Sequence, residues 1–256
     1  MMKYITKTDL CIVTRYSGVV MICVGLMCLS PLLIDLIYFE FNYSCFIIPG
    51  VFSVILCMKT LDKYSRSKMK LKHGMMISSI AWMWACIVGG VVISLATGTD
   101  FLNGIFESTS ALTGTGITMF DNVEILPHSI LFFRAFEQWV GVVVMVIGVL
   151  TRPGTATAKL YQSEAREERL KPSVKTTLKK TIEIYLIYTI VGIILYHLAG
   201  MPTFDSICNT FCMIATGGMS VKNANIGYYH NDLIYLISIV LMILGATSFL
   251  AHYKII

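Results

Sequence analysis

STSALTGTGIT, residues 108–118, is short, polar and glycine-bearing, yet it sits between two long apolar runs. A related stretch, IATGGMS at residues 214–220, interrupts the chain again about a hundred residues later. Shifting by 101 residues aligns Thr115-Gly116 with Thr216-Gly217, Phe106 with Ile207, Thr109 with Thr210 and Leu112 with Met213. The flanking runs align too, 75–97 with 182–201 and 128–150 with 233–251. Before the first Thr/Gly segment, DFLNGIFESTSAL has the helical spacing Phe101, Ile105, Leu112, with Thr99 or Asp100 as its cap. The repeated unit is an apolar run, a short helix, a Thr/Gly segment and a second apolar run. A repeat of this kind decides architecture before any single residue does.

The 256 residues are 56% hydrophobic and 14% charged, with a mean hydropathy of +0.73. Soluble domains carry roughly 25% charged residues, so this is a membrane-protein composition. Six runs are candidate spans: 17–38, 43–58, 75–97, 128–150, 182–201 and 233–251. A spanning helix needs roughly 20 apolar residues. The run after Arg15 is too long for a signal-peptide core, and no small-x-small cleavage site follows it.

Threading six spans puts 18 of the 20 Lys and Arg residues on one side, in the N-terminus, segments 59–73 and 151–180, and the C-terminus. The positive-inside rule makes that side cytoplasmic, with both termini inside a multi-pass plasma-membrane protein. A nucleic-acid surface is the competing reading of basic loops. It is set aside because both loops lie between spans and the second carries Glu164, Glu167 and Glu168. The outer segment 98–127 holds Asp100, Glu107, Asp121 and Glu124 and no basic residue. An acidic outer vestibule of that kind would concentrate cations.

A short helix that enters from outside must turn back as extended chain at membrane depth. Such backbone is tolerated only where it is buried in protein or lines a watery path. One use of it is a ring of carbonyls that replaces a cation's hydration shell. Glycine aims carbonyls without a side chain in the way. The short helix turns its negative end toward the ion. Ordinary outer turns also favour Thr and Gly, but two copies in register, each after a short helix and between spans, read as two pore loops. The expected fold is an all-α polytopic membrane protein of six transmembrane helices with two re-entrant pore helix and filter loops. Its segments are residues 1–73, a helix pair with a basic loop; 74–150, the first repeat; 151–181, a basic linker; and 182–256, the second repeat.

At FESTSALTGTGIT (106–118), LPHSILFFRAFEQWVG (126–141) and FDSICNTFCMIATGGMS (204–220) the chain resembles the Trk/Ktr/HKT superfamily of potassium-uptake subunits, specifically the TrkH/KtrB type. The second stretch is similar to a family helix that carries an arginine and a Q-W-x-G motif, here Arg134, Gln138, Trp139 and Gly141. The resemblance covers nearly the whole chain. It implies a potassium filter formed by Thr113, Gly114, Thr115 and Gly116 with Ile214, Ala215, Thr216 and Gly217. It also implies K+ as the transported ion, with Na+ in some members, no bound cofactor, a dimer, and a cytosolic nucleotide-binding ring subunit of the TrkA/KtrA type. Gly114 stands where the family usually has Thr or Val, and Val142 where a second glycine is common. The family carries four repeats, and this chain carries two. The expectation is therefore an N-terminal half whose pore is completed by a separate C-terminal half or by a second copy. The runner-up is a non-conducting remnant or assembly component.

Arg134 and Glu137 lie three apart within one span, where charges are costly and are paired or functional. A local i,i+3 pair and the positioning of a filter are the two readings. Asp35 is expected to reach the outer interface, and Tyr38 and Tyr228 to anchor there. The eight cysteines show no C-x-x-C spacing and read as apolar packing residues. The sequence holds no Ser/His/Asp arrangement and no H-E-x-x-H, and its one GxG lacks a βαβ setting, so no enzyme is expected.

Overall fold

A computed structural model describes residues 6–61, 71–150 and 174–247. Most of the basic segment 59–73, most of the 151–181 linker, and the C-terminal residues with His252 and Lys254 lie outside the described residues. All regular structure among the described residues is helical: α1 Lys7–Leu29, α2 Leu32–Tyr38, α3 Tyr43–Leu61, α4 Leu71–Thr97, α5 Phe101–Leu112, α6 His128–Leu150, α7 Val174–Leu198, α8 Thr203–Ile214 and α9 Asp232–Ala246. Two short 3-10 turns, Val123–Ile125 and Asn225–Tyr229, precede α6 and α9.

The expected first span, 17–38, is corrected. The helix starts ten residues earlier, at Lys7, because Thr6 and Asp9 form a capping box that satisfies the first backbone donors. It stops at Leu29, before Ser30-Pro31, and a separate seven-residue helix carries the chain to Tyr38. Of the expected last span, residues 248–251 lie outside the described residues. Thr247 is extended, so α9 ends at Ala246. Among the described residues, three stretches are long and apolar enough to cross a membrane: Lys7–Tyr38, His73–Thr97 and Lys179–Leu198. The 12-residue helices α5 and α8 reach only about 18 Å at 1.5 Å per residue, well short of a bilayer core.

The chain divides into two compact units, Met1–Thr109 with Pro127–Phe133, and Ser110–Leu126 with Arg134–Ile256. In the first, α1, α3 and α4 pack together. A β-carbon on Gly25 would lie 2.7 Å from the Gly50 carbonyl oxygen, so small residues let α1 and α3 approach closely. The Ser53 hydroxyl donates to the Met21 carbonyl at 2.7 Å and accepts from Trp84 Nε1 at 2.8 Å, tying α3 to both neighbours. Asp35 is buried rather than interfacial, because its Oδ1 accepts the Asn42 amide at 2.9 Å and closes the turn between α2 and α3. In that turn Glu40 caps the start of α6. Its carboxylate accepts the backbone N–H and hydroxyl of Ser129 at 3.0 and 2.6 Å and the backbone N–H of His128. Burial alone would raise the Glu40 pKa, but these hydrogen bonds outweigh it and hold the carboxyl below its usual value. Tyr38 stacks on the His128 ring at 4.0 Å.

In the second unit α7, α8 and α9 enclose a core of Tyr196, Met201, Met213, Ile234, Ile237 and Leu241. The Tyr196 hydroxyl meets Ser238 Oγ at 2.6 Å within it. Trp139 of α6 packs on Phe211 of α8 and Tyr185 of α7, with ring centroids 5.6 and 5.2 Å apart, and donates from Nε1 to Thr189 at 3.0 Å.

Candidate functional site

Both Thr/Gly segments lie in the second unit, each directly after the last turn of a short helix. After α5, the Gly114 amide donates to the Ala111 carbonyl at 3.1 Å and Thr115 to that of Ser110 at 2.9 Å. After α8, Thr216 donates to Met213 at 3.0 Å and Gly217 to Cys212 at 2.9 Å. These bonds satisfy end carbonyls that the helices leave without partners. Left-handed residues then alternate, Gly114 (φ 68°) and Gly116 (φ 77°) in the first loop, Thr216 (φ 52°) and Gly218 (φ 80°) in the second.

These equivalences correct the register of the repeat. Leu112 corresponds to Ile214, Gly114 to Thr216, Thr115 to Gly217 and Gly116 to Gly218, an offset of 102 rather than 101. The helix-packing glycines agree. Gly90 of α4 and Gly192 of α7 are also 102 apart, and each faces its short helix, at Ile105 of α5 and, one turn further along, at Thr210 of α8. Matching Thr-Gly to Thr-Gly by residue type misplaces the second loop by one, because backbone handedness and not side-chain identity defines the turn. Gly114, which departs from the family's Thr or Val, stands where the second loop has a Thr in the same left-handed conformation.

The two loops touch. A β-carbon on Gly116 would overlap the Gly217 carbonyl oxygen and lie 3.0 Å from the Gly217 carbonyl carbon. Thr113, Thr115 and Thr216 are exposed, whereas Ile214, Ala215 and Gly217 are buried. Gly217 has no left-handed φ. A β-carbon there would meet the end of the Gln138 side chain, which would have to move.

Polar groups on neighbouring elements brace the loops. Ser110 Oγ donates to the Ile117 carbonyl at 2.6 Å, holding the chain that leaves the first loop against α5. Arg134, 2% exposed, donates from its guanidinium to Thr118 Oγ1 at 3.2 Å and lies 5.8 Å from the Phe120 ring centroid. Glu137 is fully buried on the same helix. Gln138 Nε2 donates to the Gly217 carbonyl at 2.9 Å. On the second loop, Ser220 Oγ reaches Asn209 Oδ1 at 3.3 Å and Asn225 Nδ2 donates to the Gly218 carbonyl at 3.0 Å. The Tyr229 hydroxyl donates to Asp205 at 2.6 Å. Burial and that carboxylate push the phenol pKa well above its usual range.

The segments beyond the loops are joined. Asn223 donates from Nδ2 to Asn122 Oδ1 at 2.7 Å, accepts the Val123 amide at 2.8 Å, and gives its own amide to Glu124 at 3.2 Å. Lys222 Nζ lies 3.6 Å from Glu124 and 4.7 Å from the Tyr228 ring centroid. The acidic vestibule expected from sequence is thereby reduced. Glu107 is fully buried, whereas Asp100, Asp121 and Glu124 are exposed, Asp100 capping α5 through the Leu102 amide and Glu124 paired with Lys222. The expected cap is therefore Asp100 and not Thr99.

The bracing residues Ser110, Asn209, Asn223 and Asn225 carry no motif that sequence reading could single out. Gln138 stood inside the Q-W-x-G stretch but had no role there. The partners of Asn223 and Gln138 are distant in the chain, and those of Ser110, Asn209 and Asn225 lie 7 to 11 residues away but are set by how the loops turn.

A family model described as TrkH, cation transport protein, matches residues 46–256. An uncharacterized cation transporter of Methanocaldococcus jannaschii is 37% identical over 256 residues, covering 98% of this chain and 54% of that relative. The Trk system potassium uptake protein TrkG of Escherichia coli is 30% identical over 258 residues, covering 96% and 53%. The crystal structure of the potassium transporter TrkH from Vibrio parahaemolyticus aligns with a TM-score of 0.83 at 26% identity, covering 95% of this chain and 51% of that one. The chain thus spans about half the length of the curated relatives it matches. With these helices, paired loops and matches, the chain belongs to the TrkH family of cation transport proteins, which are transporters and not enzymes.

Proposed function

We propose that this chain is a potassium-uptake membrane subunit that lets K+ pass along backbone carbonyls of its two Thr/Gly loops. The observation that carries this reading is the paired loop geometry. Two short helices end in loops with the same alternating left-handed backbone, and Gly116 of one lies against Gly217 of the other. Alternating conformations of this kind turn successive carbonyls toward a common side, the arrangement that replaces a hydration shell. By the corrected register the contributing stretches are Thr113–Gly116 and Ala215–Gly218. Six spans in the plasma membrane, with both termini inside, make both loops re-entrant from outside. Passage of K+ inward then runs with an inside-negative potential, about 2.3 kcal/mol per charge per 100 mV.

Two loops leave a cation half-enclosed, and each unsatisfied backbone group at membrane depth costs several kcal/mol. The pore is therefore completed by protein, either a C-terminal half or a second copy. A dimer and a cytosolic nucleotide-binding ring subunit follow from the family resemblance. The experiment is K+ uptake in transport-deficient cells expressing this chain alone and with a candidate C-terminal half, alongside its oligomeric mass in detergent. Selective uptake by a chain shown to be monomeric, or none in any assembly, overturns the reading.

A further inference from the structure

Gln138 is fully buried and lies one turn beyond Arg134 in α6. Its Nε2 donates to the Gly217 carbonyl, while its Oε1 has no hydrogen-bond partner among the described residues. A buried amide oxygen left without a donor is costly. An apolar side chain of similar length would avoid that cost, so what distinguishes glutamine here is the bond made by the nitrogen. The glycine at 217 belongs to the same device, because a β-carbon there would come within 2.5 and 2.6 Å of the two amide heteroatoms.

The second repeat supplies the contrast. Gly141 packs on the end of α5 as Gly245 packs on the end of α8, which makes the two residues equivalent. Three residues earlier, the first repeat has Gln138 and the second has Met242. Methionine has no N–H to donate. The Gly217 carbonyl is thus held by an amide, while Thr115, its counterpart in the first loop, receives none from the corresponding helix position.

We propose that Gln138 is a positioning residue of the ion pathway, clamping the Gly217 carbonyl so that the second loop cannot close onto a small cation. The inference rests on the reading of the two loops as the path. Selectivity depends on the number and field strength of the carbonyls and on their freedom to move. Na+ is smaller than K+, so the carbonyls must move inward to replace its water. A carbonyl held at its oxygen by a buried N–H resists that movement, and one of its lone pairs is already engaged.

The test measures K+ and Na+ uptake by the full chain as wild type, Gln138→Met and Gln138→Glu, in whichever assembly the wild type transports. Membrane abundance of each is followed in parallel. Gln138→Met copies the second repeat. Gln138→Glu keeps the shape and removes the donor when its carboxyl is ionised, so uptake is compared at several pH values. Both variants should reach the membrane and lose preference for K+ over Na+ by roughly tenfold, as expected for one buried hydrogen bond, with K+ uptake itself less affected. An unchanged preference in both variants overturns the inference and leaves the pore reading intact. Absence of both from the membrane makes Gln138 a folding residue and also overturns it. A wild type without K+ preference overturns the underlying reading, and the inference with it.

Discussion

Gly141 lies directly against Leu112: a β-carbon on the glycine would overlap the Leu112 carbonyl oxygen and lie 3.0 Å from its carbonyl carbon. Gly245 bears the same relation to Ile214, with its β-carbon 2.9 Å from the carbonyl carbon. Each short helix therefore ends on a bare patch of the helix that follows it. The loops begin immediately after those carbonyls, so the two contacts set where each loop starts.

Gly141→Ala tests that relationship. In an ordinary helix interior the change gains up to about 1 kcal/mol. Here the new methyl meets backbone, which cannot rotate away, and we expect a net loss of about 1–3 kcal/mol. Thermal or denaturant unfolding of the purified chain in detergent measures it. A stabilised variant would show that α6 and the end of α5 are not in contact.

Thr216 is β-branched and left-handed, with φ 52°. That conformation costs roughly 1–2 kcal/mol for a residue with a β-carbon. Thr216→Gly is expected to raise stability by about 1 kcal/mol, whereas Gly116→Ala, at φ 77° and against the Gly217 carbonyl, should lower it. Unfolding midpoints of the two variants decide this. A destabilised Thr216→Gly would mean that the threonine side chain contributes more than its backbone strain costs.

Glu40 titrates below its usual value when folded, because Ser129 and His128 hydrogen-bond to the charged form and outweigh burial. A depressed carboxylate adds stability above its unfolded pKa, and that share is lost as pH falls through the folded one. The wild type should therefore lose stability relative to Glu40→Gln between about pH 5 and pH 3, while at neutral pH the variant is the less stable. The measurement is melting temperature against pH for both proteins. Parallel curves would remove Glu40 from the acid response.

Cysteines replacing Arg66 and Arg166 test the orientation, since both sites lie in the basic segments. Impermeant thiol reagents should reach neither from outside intact cells and both after the cells are opened. External labelling of either site would reverse the threading, and with it the side from which the loops enter.

Long apolar runs and two Thr/Gly segments after short helices are local features, and by themselves they determined a helical membrane protein with a repeated loop unit. Hydropathy and spacing act over one or two turns, so α6 over His128–Leu150 was legible to the residue. The start of α1 was not, because a polar cap at Thr6 and Asp9 extends the helix beyond its apolar run. Tertiary structure alone decided the register of the repeat, since it is set by which carbonyls the turning amides reach and by which residues go left-handed. It alone made Gly217 a packing glycine, through Gln138 lying 79 residues away. It also buried Glu107 and set Lys222 beside the exposed Glu124. Charge and composition name such residues, but contact between distant segments determines what each carbonyl and carboxylate meets.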